Sequence, residues 1–402
     1  MERFPRLERE NLRIVIVVVE VAWCDMATVD KTIPDHFRGI LCRGVKNYTV
    51  EEEIAAKDTL FEGREKEQLL PGEVLIRVTR CGICAGDAKC WSGAPMFWGD
   101  ETRKPYVETP VIPGHEFVGE VIALGDKEDK STVKVGDQVT AEQIVACGNC
   151  LYCRKGLRWL CAPHDIFGYH RCVHGGMGQY MRFPEKSIIY NIPKKISPSE
   201  AVYVEPLSCG VHGAQRGRIE LGDTVVVSGC GPIGLGMVAA AKLAGPSRLI
   251  ALDCMDSRLD IARECGADIV LNPLKTNVVK DIQELTDGYG CDVYLEATGN
   301  PKSVEQGLYM IRKNGRFVEF SVFKDKTAVD WTIIGDTKEL DILGAHCSGD
   351  NGYKVAIDMI LRRQIPVERI VTHELSLDNI IQGIQYVNEG KESIKVAIDP
   401  TK

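Results

Sequence analysis

Thr224-Val-Val-Val-Ser228 runs straight into Gly229-Cys-Gly231-Pro-Ile-Gly234, and an apolar stretch from Met237 to Leu243 follows. A short β-branched run, a turn of the form G-x-G-x-x-G and a helical segment are the three parts of a dinucleotide-binding βα unit, in the required order. Gly229 permits the tight turn, and Gly231 lets backbone amides approach a pyrophosphate at the helix N-terminus. Gly234 lets helix and strand pack closely, with Pro232 and Ile233 completing the turn. Asp253 lies 19 residues beyond Gly234, at the end of the next apolar run, Leu249 to Asp253. A carboxylate there accepts hydrogen bonds from the adenosine ribose hydroxyls and repels a 2′-phosphate, which favours NAD over NADP. Arg258, in the following helix, is a further candidate cofactor-binding residue.

Downstream, Ala267-Asp-Ile-Val-Leu, Asp292-Val-Tyr-Leu-Glu and Arg316-Phe-Val-Glu-Phe alternate with helical stretches. This is the rhythm of a doubly wound α/β parallel sheet. Upstream of about Pro206 the texture is different. Phe37 to Asn47, Glu73 to Thr79, Val118 to Leu124 and Gln138 to Glu142 read as short strands separated by irregular loops, a β-rich first domain.

Cys147, Cys150, Cys153 and Cys161 form a C-x2-C-x2-C-x7-C pattern. Two-residue gaps turn consecutive thiolates onto one ion, and four thiolates close a tetrahedral shell around zinc, so this site is expected to be structural. Cys84, His115, Glu116 and Glu205 are scattered. Each taken alone reads as an ordinary core or surface residue, and only their combination with the dinucleotide turn points to catalysis. His164, His170 and His174 have no ligand spacing and are expected to be structural. The same holds for the remaining thiols, Cys209 and Cys347 among them.

Composition bounds the rest. The 402 residues are 44% hydrophobic and 26% charged, with a formal net charge of -8 and a pI of about 5.6. An acidic balance argues against a sequence-independent nucleic-acid binder. Sixteen cysteines without a secretory signal pattern point to a reducing, cytoplasmic setting. The apolar run from Ile14 to Trp23 is interrupted by Glu20 and reaches about half of the roughly 20 residues a membrane helix needs, so no membrane span is expected. Residues 1–25 read as a non-essential extension.

With these residues assembled, the chain resembles the zinc-containing medium-chain dehydrogenase/reductase family over about residues 37–400. Gly82-Ile-Cys84-Ala-Gly-Asp87, Pro113-Gly-His115-Glu116, the cysteine lobe and the glycine turn carry the likeness. Glu205, in Val-Glu-Pro-Leu, resembles the sorbitol- and threonine-dehydrogenase branch, and within it the chain looks most like the erythritol/L-threitol enzymes. The resemblance implies a GroES-like catalytic domain (residues 26–206 and 346–402) interrupted by a Rossmann NAD-binding domain (207–345). It also implies a homo-oligomer, tetramer or dimer, and a catalytic zinc held by Cys84, His115 and Glu116 or Glu205. The implied reaction is NAD-linked oxidation of a secondary hydroxyl of a small polyol to a ketose. Sorbitol, 2,3-butanediol and L-threonine are alternative substrates within the family. A zinc-free quinone-type reductase or a zinc-ribbon nucleotide-sensing protein are readings outside it. One departure stands out. Relatives place Ser or Thr two residues after the cysteine ligand to relay a proton, and often a histidine three further on; here these are Gly86 and Lys89.

Overall fold

Val225 and Val227 face one side of their strand and Val226 the other, and all three are fully buried. Val225 and Val227 join one hydrophobic cluster and Val226 a second. A strand covered on both faces belongs in the middle of a parallel sheet. In the computed structural model, which describes residues 33–64, 69–125, 133–324 and 326–402, Thr224–Ser228 occupies that position. Its sheet runs Ile269–Leu271, Arg248–Leu252, Thr224–Ser228, Cys291–Glu296, Ile311–Glu319, Asp341–Gly344. Every pairing in it is parallel. Strand order reverses between Thr224–Ser228 and Cys291–Glu296, the switch point where such sheets bind ligands beyond their carboxyl ends. The α/β Rossmann reading therefore stands.

The β-rich part forms a seven-stranded sheet. Its order is Val371–Ser376, Lys395–Asp399, Val74–Ile83, Glu116–Leu124, Gln138–Ala141, Ile189–Asn191, with Tyr180–Phe183 also paired to Val74–Ile83. The chain thus leaves this sheet, builds the parallel one, and returns to pair Val396 with Ile83 in antiparallel register. Antiparallel pairing sets the end of one strand beside the start of its neighbour. The end of Val74–Ile83 consequently lies next to the starts of both Glu116–Leu124 and Lys395–Asp399, with Gly82 opposite Glu116. His36–Gly44 and Asn47–Ala55 form a hairpin where a first strand and turn were expected.

The helix Val204–Arg216 crosses the expected domain boundary after Pro206. It packs backbone to backbone on the helix Pro232–Leu243: a methyl group added at Gly210 would meet Ile233 O at 2.8 Å. Tyr203 Oη, just before it, donates to Pro232 O at 2.6 Å. The first turn of the dinucleotide helix and the residues around Glu205 are therefore fastened together. Among the described residues no helix is long and apolar enough to cross a membrane. Residues 1–25 lie outside the described residues.

Candidate active site

Cys84 follows directly on the strand Val74–Ile83 and caps the helix Ala85–Trp91. Its Sγ accepts from Gly86 N while Asp87 reaches back to Cys84 N, a reciprocal capping box that fixes the thiol's direction. Glu116 opens the neighbouring strand and His115 immediately precedes it. The ligand atoms of Cys84, His115 and Glu116 lie within 4.8 Å of one another, and both His115 and Glu116 are buried. A thiol, an imidazole and a carboxyl at that separation, on a sheet end, form a donor set that suits zinc.

Around these three side chains stand Lys395, Gly82 and Asp87, which fix them in place. Lys395 Nζ bonds both oxygens of Glu116, at 2.7 and 2.6 Å, and donates to Ile83 O at 3.1 Å. Both side chains are almost fully enclosed, at 3% and 2% exposure. Gly82 is bare because a methyl group there would lie 2.0 Å from Glu116 Oε2. Asp87 Oδ1 faces His115 Nδ1 at 3.8 Å. That nitrogen is buried with no hydrogen-bond partner, so Asp87 acts on it by charge, while the ring also bonds the Cys84 thiol. Burial opposes a charged imidazole, but Asp87, Cys84 and Glu205 outweigh it and hold His115 well above the usual histidine range.

Glu205 is buried on the adjoining helix, and Cys209 Sγ, one turn on, donates to its Oε1 at 3.4 Å. Burial, reinforced by the nearby Glu116, pushes the Glu205 carboxyl up to about 7 although His115 and Lys395 oppose it. Tyr169 reaches the space left by Gly86. A methyl group on Gly86 would meet Tyr169 Oη at 3.1 Å, and that hydroxyl lies 3.5 Å from Asp87 Oδ1. Phe97 stacks on Tyr169 with ring centroids 5.1 Å apart. The loop Met96-Phe-Trp-Gly thus buttresses Tyr169, while Trp98 Nε1 is spent on Cys90 O at 2.7 Å. Lys89 Nζ donates to Val322 O at 2.7 Å, in the segment that follows the strand Ile311–Glu319.

At the glycine turn, Gly229 has φ +94° and Gly234 leaves no room, since an added methyl would lie 1.8 Å from Gly229 O. Around Gly231, by contrast, such a methyl meets nothing within 4 Å. That open cradle above a helix N-terminus suits a pyrophosphate. Asp253 Oδ2 accepts from Cys230 N at 2.7 Å and Oδ1 from Met255 N at 2.8 Å, which holds the carboxylate beside the turn. Arg258 points elsewhere: its Nη2 donates to Gly390 O and Ser393 O at 2.8 and 3.1 Å.

Cys147, Cys150, Cys153 and Cys161 also converge within 4.8 Å. Amides of Cys147 and Cys153 donate to the sulfurs of Cys161 and Cys150 at 3.2 and 3.4 Å. Backbone donors from Cys153 and Ala162 lower the Cys150 thiol to about 6, toward the thiolate a zinc ion needs. Arg158 anchors the lobe to Glu142 at 3.0 Å and to Asp350 at 2.6 Å. Of the three histidines expected to be structural, His170 pairs with Asp165 at 2.9 Å and His174 accepts from Ile112 N at 3.1 Å. His164 lies against His346 and Cys347.

With this geometry in place, comparison with known proteins gives a family. Residues 70–194 match the alcohol dehydrogenase GroES-like domain and residues 232–362 the zinc-binding dehydrogenase domain. An erythritol/L-threitol dehydrogenase of Mycolicibacterium smegmatis is 45% identical over 369 residues, 92% of this chain and 99% of that protein. The chain belongs to the zinc-containing alcohol dehydrogenase family. An L-threonine 3-dehydrogenase of Pyrococcus horikoshii is another relative, 33% identical over 80% of this chain and 89% of its own. An alcohol dehydrogenase of Escherichia coli CFT073, solved with NADH, superposes with TM-score 0.77 at 26% identity, covering 91% of this chain and all of that one. Membership makes this zinc-containing alcohol dehydrogenase an oxidoreductase with a nicotinamide cofactor, and sets aside the nucleotide-sensing reading.

Proposed function

We propose that the protein is a zinc-dependent, NAD-linked dehydrogenase that oxidises a secondary hydroxyl of a small polyol, of the erythritol/L-threitol type, to a ketose. The observation that carries this reading is the convergence of Cys84, His115 and Glu116, with buried Glu205 on the helix fastened to the dinucleotide turn. The 45% identity to an erythritol/L-threitol dehydrogenase supports the substrate class. Cys84, His115 and Glu116 or Glu205 would hold the catalytic zinc, and the four-cysteine lobe the structural one. When bound, zinc supplies Lewis acidity toward the alcohol and NAD the acceptor for hydride.

The chain's own residues do the rest. Lys395 holds Glu116 in place through both carboxylate oxygens, and Asp87 holds the Nδ1 side of the His115 ring by charge. Glu205 is poised near neutrality and can hold a proton released from the substrate. Tyr169 Oη lies 3.1 Å from where a Gly86 side chain would begin and offers a second route for that proton. Asp253 favours NAD by repelling a 2′-phosphate. In this reading the catalytic domain comprises residues 26–206 and 346–402 and the coenzyme domain 207–345, in a cytoplasmic homo-oligomer.

The test is NADH formation with erythritol, both threitols, sorbitol, 2,3-butanediol and L-threonine, with and without a zinc chelator. Chelator-sensitive turnover strongest on a four-carbon polyol is the expected result. Preference for another alcohol overturns the substrate class, and chelator-insensitive turnover overturns the zinc role.

A further inference from the structure

A third convergence of ligand atoms lies outside both expected zinc sites. His164, His346 and Cys347 present their donor atoms within 4.8 Å of one another. His346 Nε2 is 3.1 Å from His164 Nε2 and 3.1 Å from Cys347 Sγ. With metal–nitrogen bonds of about 2.0–2.1 Å and metal–sulfur bonds of about 2.3 Å, tetrahedral edges come to about 3.3 Å between nitrogens and about 3.6 Å between nitrogen and sulfur. The observed spacing is close to those edges. The two imidazoles lie 24° from parallel with centroids 4.9 Å apart, so their nitrogens are closer together than their rings and converge on one point. A single hydrogen bond does not account for three donor atoms meeting there, because His346 Nε2 can serve one neighbour as donor or acceptor, not both.

The backbone is shaped to produce this meeting. Consecutive residues of an extended chain point to opposite sides, yet His346 and Cys347 face the same point. Cys347 achieves it with φ 53°, and His164 arrives with φ 60°, both in the left-handed region that non-glycine residues rarely enter. Such conformations persist where surrounding structure enforces them, and they gather at functional sites. The enforcement is visible on both sides: Tyr106 Oη donates to His164 O at 2.6 Å, and Ser348 Oγ donates to buried Gln143 at 3.2 Å. Cys347 is buried and His346 open to solvent, so an ion has a path in. Gln143, bonded by Ser348, donates from Nε2 to Cys209 Sγ at 3.7 Å, and Cys209 donates to Glu205 at 3.4 Å, which links the cluster to the candidate active site.

The geometry points to a third metal site, in which His164, His346 and Cys347 bind a borderline-soft divalent ion of the zinc class and leave its fourth position open. The site is weaker than the four-cysteine lobe, because it offers three ligands and must take the proton from a buried thiol. An ion bound there adds positive charge beside the cleft that admits substrate. The inference does not depend on which alcohol the enzyme oxidises.

Cobalt(II) alone is the probe, added to protein already loaded with two zinc ions per chain, with zinc content measured before and after. Wild type is expected to take up one further equivalent, with a thiolate-to-cobalt absorption band, while keeping its two zinc ions. His346→Asn, at an exposed position, and Cys347→Ser are each expected to lose that equivalent and the band. No third equivalent in wild type, uptake by His346→Asn equal to wild type, or a band that grows only as zinc leaves would each overturn the proposal. Should Cys347→Ser fail to fold, His346→Asn decides the matter.

Discussion

Replacing Lys395 by Met removes the cation that neutralises Glu116. The two groups meet at 2.6 and 2.7 Å and are 3% and 2% exposed, so solvent does little to screen them. At an effective dielectric constant of about 20, charges about 2.7 Å apart attract by roughly 6 kcal/mol. Part of that offsets the cost of desolvating both groups, and breaking one side of a buried pair costs about 3–5 kcal/mol. The metal-free protein is therefore expected to lose about 3–5 kcal/mol. Taking a urea m-value of about 3 kcal/mol/M, its unfolding midpoint falls by about 1–1.7 M. Zinc held by Cys84 and His115 gives the orphaned carboxylate a new counter-charge, so the loss in the zinc-loaded protein should be clearly smaller. The assay is urea unfolding of wild type and Lys395→Met, each chelator-treated and zinc-loaded. Adding Glu116→Gln to Lys395→Met should recover much of the metal-free loss, since no buried charge is then left unpaired. Equal midpoint shifts with and without zinc, or no shift in the metal-free protein, would refute the reasoning.

Gly231→Val should keep the fold, because space is open there, but weaken NADH binding about tenfold or more; Gly234→Val should unfold the coenzyme domain, as its first carbon would sit 1.8 Å from Gly229 O. Circular dichroism and NADH fluorescence titration separate the two, and normal NADH affinity in Gly231→Val would remove that residue from the cofactor site. Tyr169→Phe deletes the hydroxyl next to Gly86 and is expected to cut turnover about 10- to 100-fold, with partial recovery when Gly86→Ser is added; unchanged kcat in Tyr169→Phe would count against a proton route through it. Glu319 has a buried oxygen without a partner, and burial with the nearby Glu296 raises its carboxyl to about 7. Folding thus favours its protonated form, a contribution complete below about pH 4 and lost as pH rises through about 7. Glu319→Gln should flatten the fall in stability across that window relative to wild type, as read by melting temperature, and an unaltered pH slope would contradict the assignment.

Much of the parallel sheet was legible because its signals are local. Val225 to Ser228, the glycine turn and Asp253 announce strand, turn and next strand within about thirty residues, and the structure follows them closely. Asp341–Gly344 escaped notice because, as an edge strand with most residues exposed, it lacks the apolar run that marks buried parallel strands. The scattered site residues were found only by recognising short motifs around Cys84, His115 and Glu205. Asp87 carried a readable signal, the acidic residue three after a helix cap, but its action on His115 needed the fold. Lys395 carried one faint sign: a lysine opening a strand of five buried residues needs a buried acid as partner. Nothing local says which acid, because strand pairing alone brings it to Glu116. Tyr169 was invisible for the same reason, and so was the meeting of His164 with His346, 182 residues away.

The strand that carries Lys395 pairs with one whose last residue, Ile83, precedes it by 312 residues. On a ribosome adding about 5–20 residues per second, Cys84 and its neighbours emerge roughly 15–60 s before their counter-charge exists. During that interval the thiol, the histidine and two carboxylates have no finished pocket, and any ion they attract is held loosely in an open sheet edge. The four-cysteine lobe spans only fifteen consecutive residues, so it can capture its ion while the rest is still being made. With zinc assigned to both sites as proposed, chain topology predicts an order of loading: the lobe first, and the reactive centre only after synthesis has passed the closing strand.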